Sequence, residues 1–372
     1  MILRCTSFEQ MKEEILDHNM SVVIFGAGAI GAVVLPEILI EYGLINRVAF
    51  YVDNALGGNQ VDIHGRSIDI KPVEYLRSVE NDIAIVVTAS RYVEVLKQLE
   101  NIKSVDKSLC YVIPMMCIQN FCNKKSNGTP VLVNKPMIPK KIHYIWFGKA
   151  QIPSRLQKCI NSWKTYCPDY EIIRWDESNY DISKNQYMQE AYQAKAYSFV
   201  SDYARLDILY RHGGIYFDTD VELIKNIDRL LFQEAFCSVE KWQILNSGGG
   251  IGTIPGNQIL LELLKNRENI KFFNNDGSYN RISNGFYETQ IALRNGYQIT
   301  GETQNIRGMN IYAFDYFHPY DYMSGHIFIT DNTYSIHHFN GGWLDDKMKQ
   351  ANLKAKERYH YILKKCLDTV NR

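Results

Sequence analysis

The sequence predicts an α/β protein made of two units: a small N-terminal parallel sheet with helices on both faces, and a larger C-terminal α/β unit that carries the chemistry. Three observations lead there. Buried-type strands alternate with helical stretches through the first third, and a Gly-x-Gly-x-x-Gly turn follows an early strand. A polar, proline-punctuated stretch, NFCNKKSNGTPVLVNKPMIP at 120–139, interrupts that pattern with the composition of a linker. Beyond it, AKAYSFVSDYARLDILYRHGGIYFDTDV at 194–221 reads as a helix, a glycine break, a short strand and two aspartates one residue apart. The expected boundaries are 1–122 for the first unit, 123–138 for the linker and 139–372 for the second unit.

A chain of 372 residues can bury two cores. Its 41 basic residues balance 41 acidic ones, which argues against a general polyanion binder, and no nucleic-acid partner is expected. The 25 tyrosines suit a carbohydrate-facing groove, though they serve equally as core and surface. Eight cysteines lack CxxC pairs or metal-like spacing, and no cleavable signal sequence is present, so a reduced, cytoplasmic protein is expected. The apolar run 21–40 has Glu37 as its only charge, but Gly26, Gly28, Gly31 and Pro36 break it into strand, turn and helix rather than a membrane span.

In the first unit, 21–25 is a buried strand and Gly26 to Gly31 opens a helix that runs to about Tyr42. Strands at 47–52 and 83–88, a helix at 91–101 and a last strand at 109–113 complete the alternation. Gly26, Gly28 and Gly31 would let a helix N-terminus approach a pyrophosphate, and Asp53 lies near the distance expected of a ribose-binding acid. The same glycines also describe a plain strand-to-helix turn, and no second half follows to hold a nicotinamide. This unit resembles the small Rossmann-like domains fused to bacterial sugar-modifying enzymes, some of which bind nucleotide sugars. That resemblance implies a nucleotide-binding type of domain rather than a dehydrogenase.

The second unit begins with a strand over 141–148 that includes Trp146 and ends in Gly148; a helix at 155–166 and a strand at 171–175 follow. On the central helix Asp202 and Arg205 share a face, which by itself describes an ordinary surface ion pair. Gly213-Gly214 ends that helix, and Ile215-Tyr216-Phe217 leads into Asp218 and Asp220. Two carboxylates just past a buried strand can hold a divalent cation that bridges a diphosphate. Asn246 to Gly250 is a small-residue loop, and 257–265 a helix. A strand at 334–336 precedes His337, His338 and, after a glycine loop, Trp343. The closing helix, 344–372, carries eight basic and four acidic residues; it is a solvated surface helix that could also rest on an anionic membrane face.

These motifs together (IPKKIHYIWFGKAQIP, NSWKTYCPDYEIIRWDESNYD, SDYAR, HGGIYFDTD and YSIHHFNGGW) resemble the DXD sugar-transferase family. That family includes fungal α-1,6-mannosyltransferases, bacterial capsular polysaccharide glycosyltransferases and the catalytic domains of large clostridial glucosylating toxins. The resemblance covers about the last 235 residues and implies a GT-A-type glycosyltransferase domain. It implies that Trp146 stacks on the uracil of a UDP-sugar and that Asp202 and Arg205 contact the donor sugar. Tyr216 should approach the donor, Asp220 ligate the metal directly, and Asp218 reach ribose or metal through water. Asn246 falls in a loop that lines the sugar or acceptor side, and Trp343 caps the phosphates. A histidine at this place often completes the metal shell; His338 is preferred over His337, and imidazole with carboxylates suits Mn²⁺, with Mg²⁺ as the alternative. Two departures stand out: Gly342 replaces a frequent serine, and Ser283-Asn284-Gly285-Phe286 replaces a glycine-proline turn.

The expected activity is therefore metal-dependent, retaining transfer of a hexose from a nucleotide sugar, a UDP-sugar by the Trp146 motif. The expected acceptor is an oligosaccharide or lipid-linked glycan in capsular or surface polysaccharide assembly, with peripheral contact at the inner membrane face. Two alternatives belong to other classes. One is a toxin-like protein glycosyltransferase, disfavoured by the lack of a translocation region in the sequence; the other is a nucleotide-sensing or oxidoreductase protein run by the first unit, disfavoured by intact Asp218 and Asp220.

Overall fold

The computed structural model describes residues 1–80, 82–122, 125–275, 277–280, 282–341 and 346–370, with the side chains of 346–348 and 365–370 excluded. Its N-terminal part contains β1 (Ile2–Arg4), α1 (Phe8–Asp17), β2 (Ser21–Phe25), α2 (Leu35–Glu41), β3 (Val48–Val52), β4 (Gln60–Ile63) and β5 (Arg66–Lys71). β6 (Ile83–Val87), α3 (Tyr92–Leu99), β7 (Leu109–Val112) and α4 (Ile113–Cys117) follow. The strands form one seven-stranded sheet in the order β1-β7-β6-β2-β3-β5-β4. All neighbours are parallel except the β4–β5 hairpin at the edge. All five residues of β6 and four of five in β2 are buried, as central parallel strands require. The alternation read from the sequence gives this sheet; β1 and the β4–β5 hairpin, short or half-polar, were not anticipated.

The C-terminal part continues with β8 (Lys141–Ile145), α5 (Ser154–Tyr166), β9 (Glu171–Trp175), α6 (Gln186–Gln193), α7 (Tyr197–His212), β10 (Gly214–Tyr216) and β11 (Val221–Leu223). Next come β12 (Ala235–Ser238), β13 (Ile251–Thr253), α8 (Gln258–Glu268), α9 (Asn284–Arg294), β14 (Gln304–Ile306) and β15 (Met309–Tyr312). α10 (Phe314–Phe317), β16 (Ser335–His337) and α11 (Asp346–Val370) complete it. A second seven-stranded sheet has the order β14-β15-β12-β13-β10-β8-β9, with parallel pairs β8–β9, β8–β10 and β12–β15. β11 and β16 form a separate antiparallel ribbon. The whole is a mixed α/β architecture built on two seven-stranded, largely parallel or mixed sheets.

The link from α7 to β10 shows why two glycines stand there. Gly213 caps the helix at φ 61° and Gly214 continues at φ 98°, a region L-residues avoid. The chain can then turn directly into a strand on top of the His143 ring, against which a Cβ on Gly214 would press. Within β10, Ile215 joins the apolar cluster of Ile142, Trp163 and Phe236, while Tyr216 points the other way into a larger core. That larger core is continuous, running from Val22 and Ile85 of the first sheet to Leu206 of α7 and Ile251 of the second sheet.

The stretch with linker composition is not a free tether within its described residues. Ser126 Oγ and the Asn127 and Gly128 amides donate to Glu302 Oε2, Asn310 bonds both backbone groups of Val131, and Met137 and Ile138 donate to Leu231 O. A polar segment satisfies its backbone along the second sheet instead of in water. α11 returns to the first sheet, burying Ala351, Ala355, Tyr359 and Ile362 where it packs on β1 and α3. Among the described residues no helix is long and apolar enough to cross a membrane, and seven cysteines are buried.

Candidate active site

β10 ends at Tyr216 and β11 starts at Val221, so Asp218 and Asp220 sit in the tight passage between two strands of different sheets. The Asp218 amide donates to Gly248 O (2.8 Å) and the Val221 amide to Asp218 O (3.1 Å), which fixes the passage from both sides. α5 braces it from behind: the buried Trp163 indole donates to Val221 O (2.8 Å), and the Leu223 amide donates to Ser162 Oγ (2.9 Å). Ser162 and Trp163 of the NSW motif thus brace the strand that follows the aspartates.

Register on the β11–β16 ribbon pairs Val221 with His337 and brings that imidazole to the aspartates. Ligand atoms of Asp218, Asp220 and His337 all lie within 4.8 Å of one another. His337 Nε2 is 3.3 Å from Asp220 Oδ1, and the Asn340 amide donates to Asp220 Oδ2 at 2.7 Å. Burial works against the charge on Asp220, but His337 and the Asn340 amide hold its carboxyl down at about 2. His337 moves up correspondingly: burial opposes this and Asp220 carries it. The expectation that His338 joins the metal site is corrected here. Successive strand residues face opposite sides, so His338 points away and its Nε2 lies 2.8 Å from Glu222 Oε2.

A second group of side chains adjoins the aspartates. Arg205 is buried; its Nη2 donates to Asp202 Oδ1 (3.0 Å) and lies 3.6 Å from Asp218 Oδ1. Its Nε donates to Ser201 O (3.1 Å), and its guanidinium lies over the Tyr216 ring. Asp202 and Arg205 are therefore not a solvated surface pair. Tyr216 is fully buried and its hydroxyl donates to Asp218 Oδ1 (2.8 Å), so it orients the aspartate; burial, then the Asp218 charge, pushes its phenol well up. Asn246 acts on the loop that follows it: its Oδ1 accepts from the Gly248 and Gly249 amides, both at 3.1 Å. A Cβ on Gly248 would overlap Asp218 Oδ2, so only glycine allows this close approach.

Sequence reasoning missed Glu288, whose role needs partners 41 residues away. Buried on α9, it accepts from Ser247 Oγ (2.6 Å), from the Ser247 amide (3.3 Å) and from Asn284 Nδ2; burial pushes its carboxyl up while Ser247 and Arg205 pull it down. Ser247 Oγ also meets Arg205 Nη1 at 3.4 Å, so α7, the 246–250 loop and α9 share one network. Trp146, just past β8, is half-buried and its indole donates to Ala150 O (2.7 Å), leaving it outside the core. Trp343 and Gly342 lie outside the described residues.

The N-terminal glycine turn is built otherwise. Gly26 and Gly31 are places where a Cβ would strike Thr88 Oγ1 and Gly26 O respectively, whereas Gly28 has open space. Asp53 accepts from the Ala27 amide (3.0 Å) with one oxygen and from the Ala55 and Leu56 amides (2.9 and 3.2 Å) with the other. Its carboxylate caps the turn, and close packing accounts for two of the three glycines.

The region around the aspartate cluster is similar in sequence to DXD glycosyltransferases. Residues 153–237 match the family described as "Glycosyltransferase sugar-binding region containing DXD motif". Inositol phosphoceramide mannosyltransferase 3 of Schizosaccharomyces pombe is 32% identical over 144 residues, 36% of this chain and 38% of that protein. An uncharacterized glycosyltransferase of Acanthamoeba polyphaga mimivirus is 31% identical over 139 residues, 35% of this chain and 55% of its own. The chain thus spans 38% and 55% of the length of these two relatives. Among solved structures the PaToxG glycosyltransferase matches with a TM-score of 0.35 at 17% identity, covering 55% of this chain and 78% of that one.

Proposed function

We propose that this chain transfers a hexose from a UDP-sugar of the glucose or galactose type to a glycan acceptor, with retention at the anomeric carbon and with Mn²⁺ or Mg²⁺ held by Asp218, Asp220 and His337. The observation that carries the reading is the convergence of those three side chains within 4.8 Å, beside the largely buried Asp202–Arg205 pair. Two carboxylates and an imidazole fit a first-row divalent cation. Such a cation supplies charge neutralisation on the departing diphosphate.

The chain's own residues do the rest. Tyr216 and the Asn340 amide orient Asp218 and Asp220, and Arg205, held by Asp202 and Ser201, offers a fixed positive charge to the sugar and diphosphate. Trp146, half-buried at the end of β8, is suited to act as the platform for the base. Among the described residues no carboxylate is singled out as nucleophile, which favours same-face substitution. The C1–O bond to the diphosphate breaks, the acceptor oxygen bonds C1 from the same side, and the acceptor hydroxyl proton passes to a departing diphosphate oxygen.

A lipid-linked acceptor in surface or capsular polysaccharide assembly, met at the inner face of a membrane, is the reading we favour. Two observations support it. The Schizosaccharomyces pombe relative is named for mannose transfer to a lipid, inositol phosphoceramide. On α11, Lys349, Lys354, Lys356, Arg358 and Lys364 are exposed and suit an anionic lipid surface. The test is a panel of UDP- and GDP-hexoses with Mn²⁺, followed by nucleoside diphosphate release and by the anomeric configuration of the product in NMR. A UDP-hexose consumed with retention is expected. Preference for a GDP-sugar would overturn the donor assignment, and an inverted product the mechanism.

A further inference from the structure

Arg267, next to last in α8, is 2% exposed, and among the described residues none of its three side-chain nitrogens meets a partner at full hydrogen-bond geometry. The guanidinium lies between the rings of Tyr187 and Tyr287, 4.8 and 5.0 Å from their centroids. Its Nη2 is 3.7 Å from Asp202 Oδ2, and the other oxygen of Asp202 takes the bond from Arg205. Charges therefore alternate from the interior to the cluster: Arg267, Asp202, Arg205, Asp218.

A buried guanidinium without fully formed hydrogen bonds is costly, and two aromatic faces offset only part of that cost. An apolar chain of the same length would fill a packing role at lower cost, so the charge itself is what this position uses. That charge faces a largely buried carboxylate whose surroundings are otherwise hostile. Burial raises the Asp202 carboxyl and the nearby Asp218 adds repulsion, while Arg205 and Arg267 favour its charged form.

We propose that Arg267 is a positioning residue for sugar transfer: clamped by Tyr187 and Tyr287, it fixes Asp202, which in turn holds Arg205 against the donor. The proposal rests on the reading that the chain transfers sugar from a nucleotide sugar. It is tested in the full chain with Arg267→Met, Arg267→Lys, Asp202→Asn and the Arg267→Met/Asp202→Asn double variant, each measured for kcat and KM of UDP-hexose hydrolysis and for Tm. Arg267→Met should lower kcat at least about tenfold, the scale of coupling between contacting charged groups. KM should change little and Arg267→Lys should recover much of the rate. In the Asp202→Asn background the same substitution should cost nothing further. Wild-type kcat in Arg267→Met, or an equal loss in both backgrounds, would overturn the proposal. Should Arg267→Met fail to fold, the double variant decides: one as stable as Asp202→Asn supports the pairing, and one that also fails to fold makes Arg267 a packing residue and overturns it. If the wild-type chain hydrolyses no donor, the functional reading falls instead, and the Tm values still judge the pair: additive shifts overturn it and non-additive shifts support it.

Discussion

His143 shows how one side chain can be fixed in charge as well as place. It is fully buried, and its Nδ1 accepts from the Trp175 indole at 3.0 Å. An indole can only donate, so the ring proton must sit on Nε2, which donates to Gly213 O at 2.9 Å. Burial pushes this imidazole down to about 4. The folded value lies below the unfolded one, so as pH falls the unfolded chain takes the proton first. Stability should drop between about pH 6.5 and 4, by about 3 kcal/mol in all. Denaturant unfolding of wild type and His143→Gln across that range checks this; the variant should lose that part of the slope, and identical slopes would contradict it. Trp146 raises a different question at the same scale. If it stacks on uracil, Trp146→Ala should weaken UDP binding by roughly 1–3 kcal/mol in calorimetry. Unchanged affinity would leave the indole with only its loop bond to Ala150.

Between elements, the decisive contact is the 246–250 loop against the passage from β10 to β11. Gly248→Ala should push Asp218 aside and reduce donor hydrolysis roughly a hundredfold, as small misplacements of reacting groups do. Circular dichroism should show the fold retained; a folded variant with wild-type turnover would contradict the role given to this approach. The same scale explains what was legible in the sequence. Asp218 and Asp220 could be read because helix end, glycines, strand and carboxylates are contiguous, and the pattern is local. His337 could not be separated from His338, because the choice depends on ribbon register across more than a hundred residues. Glu288 and Arg267 carried no signal at all: each lies on an ordinary amphipathic helix and gains meaning only from Ser247 and Asp202. Strands of three or four residues, such as β12 to β15, were too short to show a period.

At the scale of the whole molecule, the two sheets share a core and are tied together at two places. α11 lays its apolar face on β1 and α3, and the Trp242 indole donates to Pro114 O (3.3 Å) across the junction. The linker composition of 123–138 suggested separable units, but where described that segment is bonded along the second sheet. Calorimetry should therefore record one cooperative unfolding transition; two well-separated transitions would contradict the shared core. What the molecule as a whole presents is a short passage between two strands that carries Asp218 and Asp220, with His337 brought beside them from a strand more than a hundred residues away. The account stands on that cluster binding a divalent cation for sugar transfer. Its most direct test is nucleoside diphosphate release from a UDP-hexose by wild type and by folded Asp220→Asn, each with Mn²⁺ and with excess chelator. Wild type should turn over only with the metal, and Asp220→Asn should lose most of that rate under both conditions. A wild-type rate that persists in chelator, or in Asp220→Asn, would contradict it.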